Sequence, residues 1–80
     1  MNVPELVSID DLWKHNAVAL TLTQRNDFAT CIRYADAMES GDVFPPIELD
    51  GLTIVDGIHR TLAVWLTGEQ HSRAVRQERR

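Results

Sequence analysis

Ile47-Glu48-Leu49-Asp50-Gly51-Leu52-Thr53-Ile54-Val55-Asp56-Gly57-Ile58-His59-Arg60 reads as a strand, a tight turn, a second strand and the first turn of a helix. Asp50-Gly51 is the residue pair that a two-residue type I′ hairpin turn favours. With that pair as the turn, Leu49 faces Leu52 and Ile47 faces Ile54. Four apolar side chains then share one sheet face, and Glu48, Thr53 and Val55 take the other. The run Thr61-Leu62-Ala63-Val64-Trp65-Leu66 continues as a helix to Thr67-Gly68, expected to bury Leu62, Trp65 and Leu66.

The joint between the second strand and this helix carries the chemistry. A glycine there lets the backbone approach a ligand closely. The free N–H groups of the first helical turn, at Ile58 and His59, combine with the positive end of the helix dipole to make an anion site. Arg60 lies in that turn, where a cation is disfavoured by roughly 0.3–1 kcal/mol. A phosphate between Arg60 and the backbone removes the conflict, and the guanidinium offers it a forked donor. A plainer arrangement uses the same residues: Asp56 caps the helix, Arg60 pairs with Asp56 or Asp50, Gly57 serves the turn alone, and His59 is solvated.

Working towards the N-terminus, Pro45-Pro46 ends any helix before it and sets an extended approach to the hairpin. Phe28, Cys31, Ile32, Ala35 and Met38 recur at helical spacing, with Asn26 or Asp27 as cap and Gly41 as stop. Val18, Leu20 and Leu22 alternate with Ala19, Thr21 and Thr23, a period-2 pattern that reads as a strand. Leu6-Val7-Ser8-Ile9 reads as another, followed by a brief helical turn capped by Asp10. Beyond the hairpin and its helix, Ser72–Gln77 completes the set as a last strand. Two main helices on a small mixed sheet, an α/β (α+β) fold, is the expected architecture, with residues 1–80 forming one domain. A crossover from strand 53–55 through the helix to the last strand would place the Asp56–Arg60 turn at a strand's carboxyl end, where open α/β sheets hold ligands.

Composition narrows the function classes. The chain has 80 residues, 44% of them hydrophobic, enough for a single modest core. No apolar run approaches the roughly 20 residues of a membrane helix, and the start lacks a secretory pattern. A lone cysteine, Cys31 on an apolar helix face, forms no internal disulfide, and a reducing cytoplasm is the expected location. The net charge is −4, against the basic surface that direct DNA binding needs. Residues 1–72 set Lys14, Arg25, Arg33 and Arg60 against eleven acids, whereas Arg73, Arg76, Arg79 and Arg80 make the end basic, as a solvated tail or a phosphate contact.

Pro45-Pro46-Ile47-Glu48-Leu49, a short turn and then Ile54-Val55-Asp56-Gly57-Ile58-His59-Arg60 resemble the ParB/sulfiredoxin-like family. Its pattern is PPI-x-hydrophobic, then DG-x-HR-x-x-A, before a helix ending in glycine, here Gly68. The resemblance covers roughly residues 28 to 76. Sulfiredoxin-like members bind ATP with this turn and use a cysteine just before His-Arg. Ile58 holds that position here, which excludes their redox reaction. Chromosome-partitioning members bind CTP through an arginine-rich version of the turn and carry a separate helical DNA-binding domain. The extra arginines are missing from this chain, and no residues remain for that domain. What the resemblance implies is a nucleotide, ATP or CTP, bound through its phosphates at Asp56, Gly57, His59 and Arg60.

Thr21, Thr23, Gln24 and Arg25 precede the expected first helix, and Thr23 and Arg25 suit a second phosphate contact from an opposite wall. His59 is the candidate acid–base group and Asp56 a second catalytic candidate. Asp56 or Glu48 would hold Mg²⁺ through water. His15, His59 and His71 lack the spacing of a zinc site, so no structural metal is expected. Two functions follow: a nucleotide- or phosphate-binding module, with or without NTPase or phosphoryl-transfer activity, or a non-catalytic acidic protein. The second would use Asp10, Asp11, Asp36, Glu39 and Asp42 to occupy the basic groove of a nucleic-acid-binding complex. A monomer and a homodimer joined through Trp13 or Val43-Phe44 both fit.

Overall fold

The computed structural model describes residues 3–77. In chain order the elements are β1 (Glu5–Ser8), α1 (Ile9–His15), α2 (Ala17–Glu39), β2 (Ile47–Asp50), β3 (Thr53–Asp56), α3 (Ile58–Thr67) and β4 (His71–Arg76). The four strands form one mixed sheet in the order β1-β4-β2-β3. This is the mixed α+β architecture expected, with α2 and α3 as the two main helices and α1 as the brief third. Among the described residues, no helix is long and apolar enough to cross a membrane.

β4 sits between β1, to which it is antiparallel, and β2, to which it is parallel. β3 is antiparallel to β2 at the edge. The path from β3 through α3 therefore passes over β2 and returns antiparallel to β3, which corrects the expected crossover. The Asp56–Arg60 turn does end a strand, but it lies beside the start of β2 rather than at the shared carboxyl ends of a parallel pair.

The hairpin differs from expectation by one residue. Asp50 pairs with Thr53 and Leu49 with Ile54, so the turn residues are Gly51 and Leu52. Gly51 has φ +62°, and among the described residues none other than glycine has positive φ. That combination belongs to a II′-like turn, with glycine first, and not to type I′. The register then slips, pairing Glu48 with Asp56 and leaving Val55 as the extra residue of a bulge. The faces survive this shift, because Ile47 and Leu49 are buried and Leu52 and Ile54 pack against them.

The largest correction concerns residues 17–27. The alternating Val18, Leu20 and Leu22 lie in α2, not in a strand. Only Leu20 of the three is buried, while Val18 is 76% and Leu22 50% exposed. Leu20, Cys31 and Ala35 are the buried positions of α2, spaced eleven and four apart, which is helical periodicity. Asp27, expected as a cap, instead marks a kink within the helix at φ −131°, ψ 31°. Phe28 and Ile32 are partly exposed, so the buried stripe is narrower than the sequence pattern. At α1 the cap is Ser8, whose Oγ accepts the Asp11 N–H at 3.3 Å, with Asp10 inside the first turn.

Two apolar clusters form. Val7, Ile9, Leu12, Ile47, Leu49 and Ala74 make one against the sheet, and Leu20, Cys31 and Leu62 the other between α2 and α3. Trp13 and Ile54 touch both. Trp13 meets Trp65 edge-on with ring centroids 5.3 Å apart, a favoured arrangement for aromatic pairs. Its indole N–H is buried without a hydrogen-bond acceptor among the described residues. Trp65 was expected to be buried but is 39% exposed, and Thr61 and Ala63 are buried with Leu62 instead. Two of the four arginines of the basic end are strand residues: Arg73 is exposed, and Arg76 donates to Glu5 Oε1 at 2.6 Å and to the Gly51 carbonyl. Arg79 and Arg80 lie outside the described residues.

Burial pushes the Cys31 thiol above its ordinary pKa, and the Asp27 carboxylate adds to the rise. The unfolded chain therefore forms thiolate at lower pH than the native one. Stability from this group is intact below the unfolded thiol value, about 8.5, and is lost as pH rises from there through the higher native value. Alkylation by iodoacetamide should accordingly be slow in the native protein across pH 7–9 and fast once denaturant is added. Equal rates would contradict the burial.

Candidate functional site

Gly57 is where the local sequence and the site meet. It is the N-cap of α3 with φ +102°, and no side chain caps the helix. Asp56, expected as that cap, instead accepts from Arg60 Nη2 through Oδ2 at 3.0 Å. The Arg60 side chain folds back across Gly57 and is only 16% exposed. A Cβ on Gly57 would stand 2.7 Å from both Arg60 Nη2 and Ile47 Cγ2. Glycine is thus required twice over, by backbone conformation and by the arginine lying against it.

His59, two residues after Gly57, faces α2. His59 Nε2 is 3.3 Å from Asp27 Oδ2, the residue at the α2 kink. A carboxylate on one imidazole nitrogen fixes the ring's orientation and leaves the other nitrogen for a ligand or a reacting proton. Thr61 Oγ1 donates to the Gly57 carbonyl at 2.9 Å, closing the first turn from inside.

Asp56, Gly57, His59 and Arg60 border an open groove of about 800 Å³. One wall is the strand-to-helix turn, from Ile54 to Arg60; Ala19, Leu22, Thr23 and Tyr34 of α2 and Phe44-Pro45 of the connecting strap supply the others. Of the residues expected at a phosphate site, Asp56, Gly57, Ile58, His59, Arg60 and Thr23 are brought together. Arg25 is not: it is exposed on α2 and lines no part of the groove. Thr23 reaches the groove from a helix, not a strand, and its hydroxyl is engaged with the Ala19 carbonyl at 2.9 Å. The opposite wall that Thr21–Arg25 were expected to form is therefore mostly apolar.

Glu48 lies opposite Asp56 in the sheet ladder. Among the described residues, no three His, Cys, Asp or Glu side chains are grouped to hold a metal ion. Sequence reasoning missed Asp27 as the partner of His59, and it missed Tyr34 and Phe44 as groove walls. The sequence marks Phe44 only as a homodimer contact, whereas its ring partner in the structure is Tyr34, ten residues earlier on α2. Comparison with protein-family models, with curated proteins and with solved structures gives no match.

Proposed function

We propose that this protein is a ParB/sulfiredoxin-like module that binds a phosphate-bearing ligand, a nucleotide or phosphate, at the Asp56–Arg60 turn. The observation that carries the reading is the uncapped start of α3 opening onto a large groove with Arg60 folded beside it. Free first-turn N–H groups and a guanidinium are complementary to phosphate oxygens. Arg60 is held by Asp56 in the present arrangement, so binding involves sharing or exchanging that partner. Mg²⁺ arriving with ATP or CTP would find Asp56, with Glu48 opposite it, as water-bridged carboxylate ligands. If bond cleavage follows binding, His59 oriented by Asp27 is the group to move the proton.

A thermal-shift titration with ATP, ADP, CTP and GTP, with and without Mg²⁺, tests the site. Ligand at a hundredfold excess over Kd stabilises by about 2.7 kcal/mol, or about 10 °C or more for a domain this size. Arg60→Ala, compared with its own unliganded midpoint, should lose most of that rise. No shift for any nucleotide at millimolar concentration would sink the reading.

A second reading, a non-catalytic protein that blocks a basic partner, rests on a different observation. Asp10, Asp11, Asp36, Glu39 and Asp42 are all exposed, and none has an ion-pair partner among the described residues. A complex with a cellular nucleic-acid-binding protein that persists in Arg60→Ala would favour it.

A further inference from the structure

The sheet has two edges, β3 and β1, and the chain treats them differently. At β3 the Ile54 N–H is taken by Asn16 Oδ1 at 3.0 Å, and Asn16 Nδ2 covers the Leu52 carbonyl at 2.8 Å. His15 Nε2 lies 3.1 Å from Thr53 Oγ1, and the bulge at Val55 breaks the line of the strand. A bulge and a covering helix end are devices that keep an edge from pairing with another chain.

β1 has no such guard. Its ladder with β4 runs on into Ile9, whose N–H donates to the Gln70 carbonyl at 2.9 Å. Antiparallel ladders alternate, so Glu5 and Val7 also turn their N–H and C=O groups to β4, and Leu6 and Ser8 turn theirs outward. No described residue bonds to the Leu6 N–H, the Leu6 carbonyl or the Ser8 N–H. The Leu6 side chain is 69% exposed, on the sheet face opposite the core. α1 starts directly after Ser8 and ends at His15, beside Thr53 of β3, so it runs away from this edge.

The outward groups of β1 match a second copy of themselves. Two antiparallel β1 strands centred on Leu6 bring Leu6 opposite Leu6 and Pro4 opposite Ser8. Each Leu6 N–H then donates to the other Leu6 carbonyl, and each Ser8 N–H to the other Pro4 carbonyl. The pattern lacks one donor, since proline has no N–H. The acceptor opposite it is the Ser8 carbonyl, which belongs to the N-cap of α1 and already accepts the first bond of that helix. The missing donor and the occupied acceptor coincide, so neither is stranded. Glu5, the only charged residue of the strand, is paired with Arg76 at 2.6 Å.

We propose that β1 is the contact surface of a homodimer, in which two copies join edge to edge about a two-fold axis at Leu6 and share one continuous sheet. Such an interface is the same patch on both copies and closes on itself. One strand pair is a small contact, so the association is weak and depends on concentration. Neither Trp13 nor Val43-Phe44, the contacts expected from the sequence, takes part. The candidate groove is bordered by β3, at the opposite edge of the sheet, and stays open in both copies.

Analytical ultracentrifugation from roughly 1 μM to 1 mM, with amide exchange followed by NMR over the same range, decides the matter. The mass of the wild type should rise from one chain towards two. The Leu6 and Ser8 amides should gain protection along with it, while those of Glu5 and Val7 stay protected throughout. Leu6→Lys puts like charges face to face on the axis at an exposed position, and should weaken the dimer about tenfold or more. Val18→Lys makes the same change in charge at an exposed site on α2, 76% accessible, and should leave the dimer unchanged. A wild type of single-chain mass at every concentration, with Leu6 and Ser8 exchanging freely, would overturn the homodimer and leave the edge to an extended segment of a different protein. A dimer that forms while those two amides stay unprotected, or that Leu6→Lys leaves intact, would place the contact elsewhere and overturn it as well.

Discussion

Asn16→Ala is expected to lower the unfolding free energy by about 3 kcal/mol and the thermal midpoint by about 12 °C or more. Asn16 is buried at the junction of α1 and α2. Its Nδ2 donates to the Leu12 carbonyl at 2.9 Å and to the Leu52 carbonyl at 2.8 Å, and its Oδ1 accepts the Ile54 N–H at 3.0 Å. One side chain thus ends α1 and ties the helices to the hairpin. Truncation leaves the Ile54 donor and the Leu52 acceptor to find water at a partly buried edge, and that desolvation cost exceeds the net value of the bonds themselves. Asn16→Asp keeps the acceptor for Ile54 but loses both donors, and should fold less stably than the wild type at neutral pH. Chemical denaturation of the three proteins checks the series. A loss below about 1 kcal/mol in Asn16→Ala would mean that water replaces the amide freely.

Gly57→Ala should cost about 3 kcal/mol, combining a backbone conformation that L-residues avoid with crowding of a packed neighbour. The φ of +102° supplies the first part, and the 2.7 Å approach to Ile47 Cγ2 the second. The Arg60 terminus can swing away, but Ile47 is buried in the sheet cluster and cannot. Gly68→Ala separates the two contributions. Gly68 has φ +87° and nothing within 4 Å of its would-be Cβ, so only the backbone part applies, about 1–2 kcal/mol. Denaturation midpoints of both variants give the comparison. Equal losses would show that Arg60 and Ile47 do not crowd Gly57. A larger loss at Gly57 should be accompanied by weaker nucleotide binding, since displacing Arg60 alters the groove wall.

The hairpin, α3 and the joint between them were legible because local chemistry and apolar pattern point the same way. Leu49 and Leu52 flank a glycine turn, and Pro45-Pro46 and Gly68 stop the elements on either side. Residues 17–27 were misread for a physical reason. Val18 and Leu22 are apolar yet exposed, so the alternation around Leu20 does not mark a buried face. Helix formers such as Ala17, Ala19 and Leu20 then decide the local structure. Asn16 carries no local signal at all, since two of its three bonds reach residues 36 and 38 positions away. In the candidate site, the strand-to-helix turn from Asp56 to Arg60 was readable as a contiguous motif. Asp27, Tyr34 and Phe44 were not, because their roles arise only when α2 and the strap are folded against that turn.

The position of β4 in the sheet sets the order of events as the chain is made. β4 is the last described strand in sequence yet an inner one in space, lying between β1 and β2. Until residues 71–76 leave the ribosome, β1 has no neighbour and β2 is paired on one side only. The two helices and the hairpin can form early from local contacts, whereas β1 must wait for a partner some 66 positions later in the chain, Leu6 meeting Arg73 and Val7 meeting Ser72. Completion of the sheet is therefore a long-range closure step, of the kind that slows folding. A chain terminated after α3 would leave two exposed strand edges and no complete sheet cluster, a product suited to chaperones and proteases rather than to ligand binding.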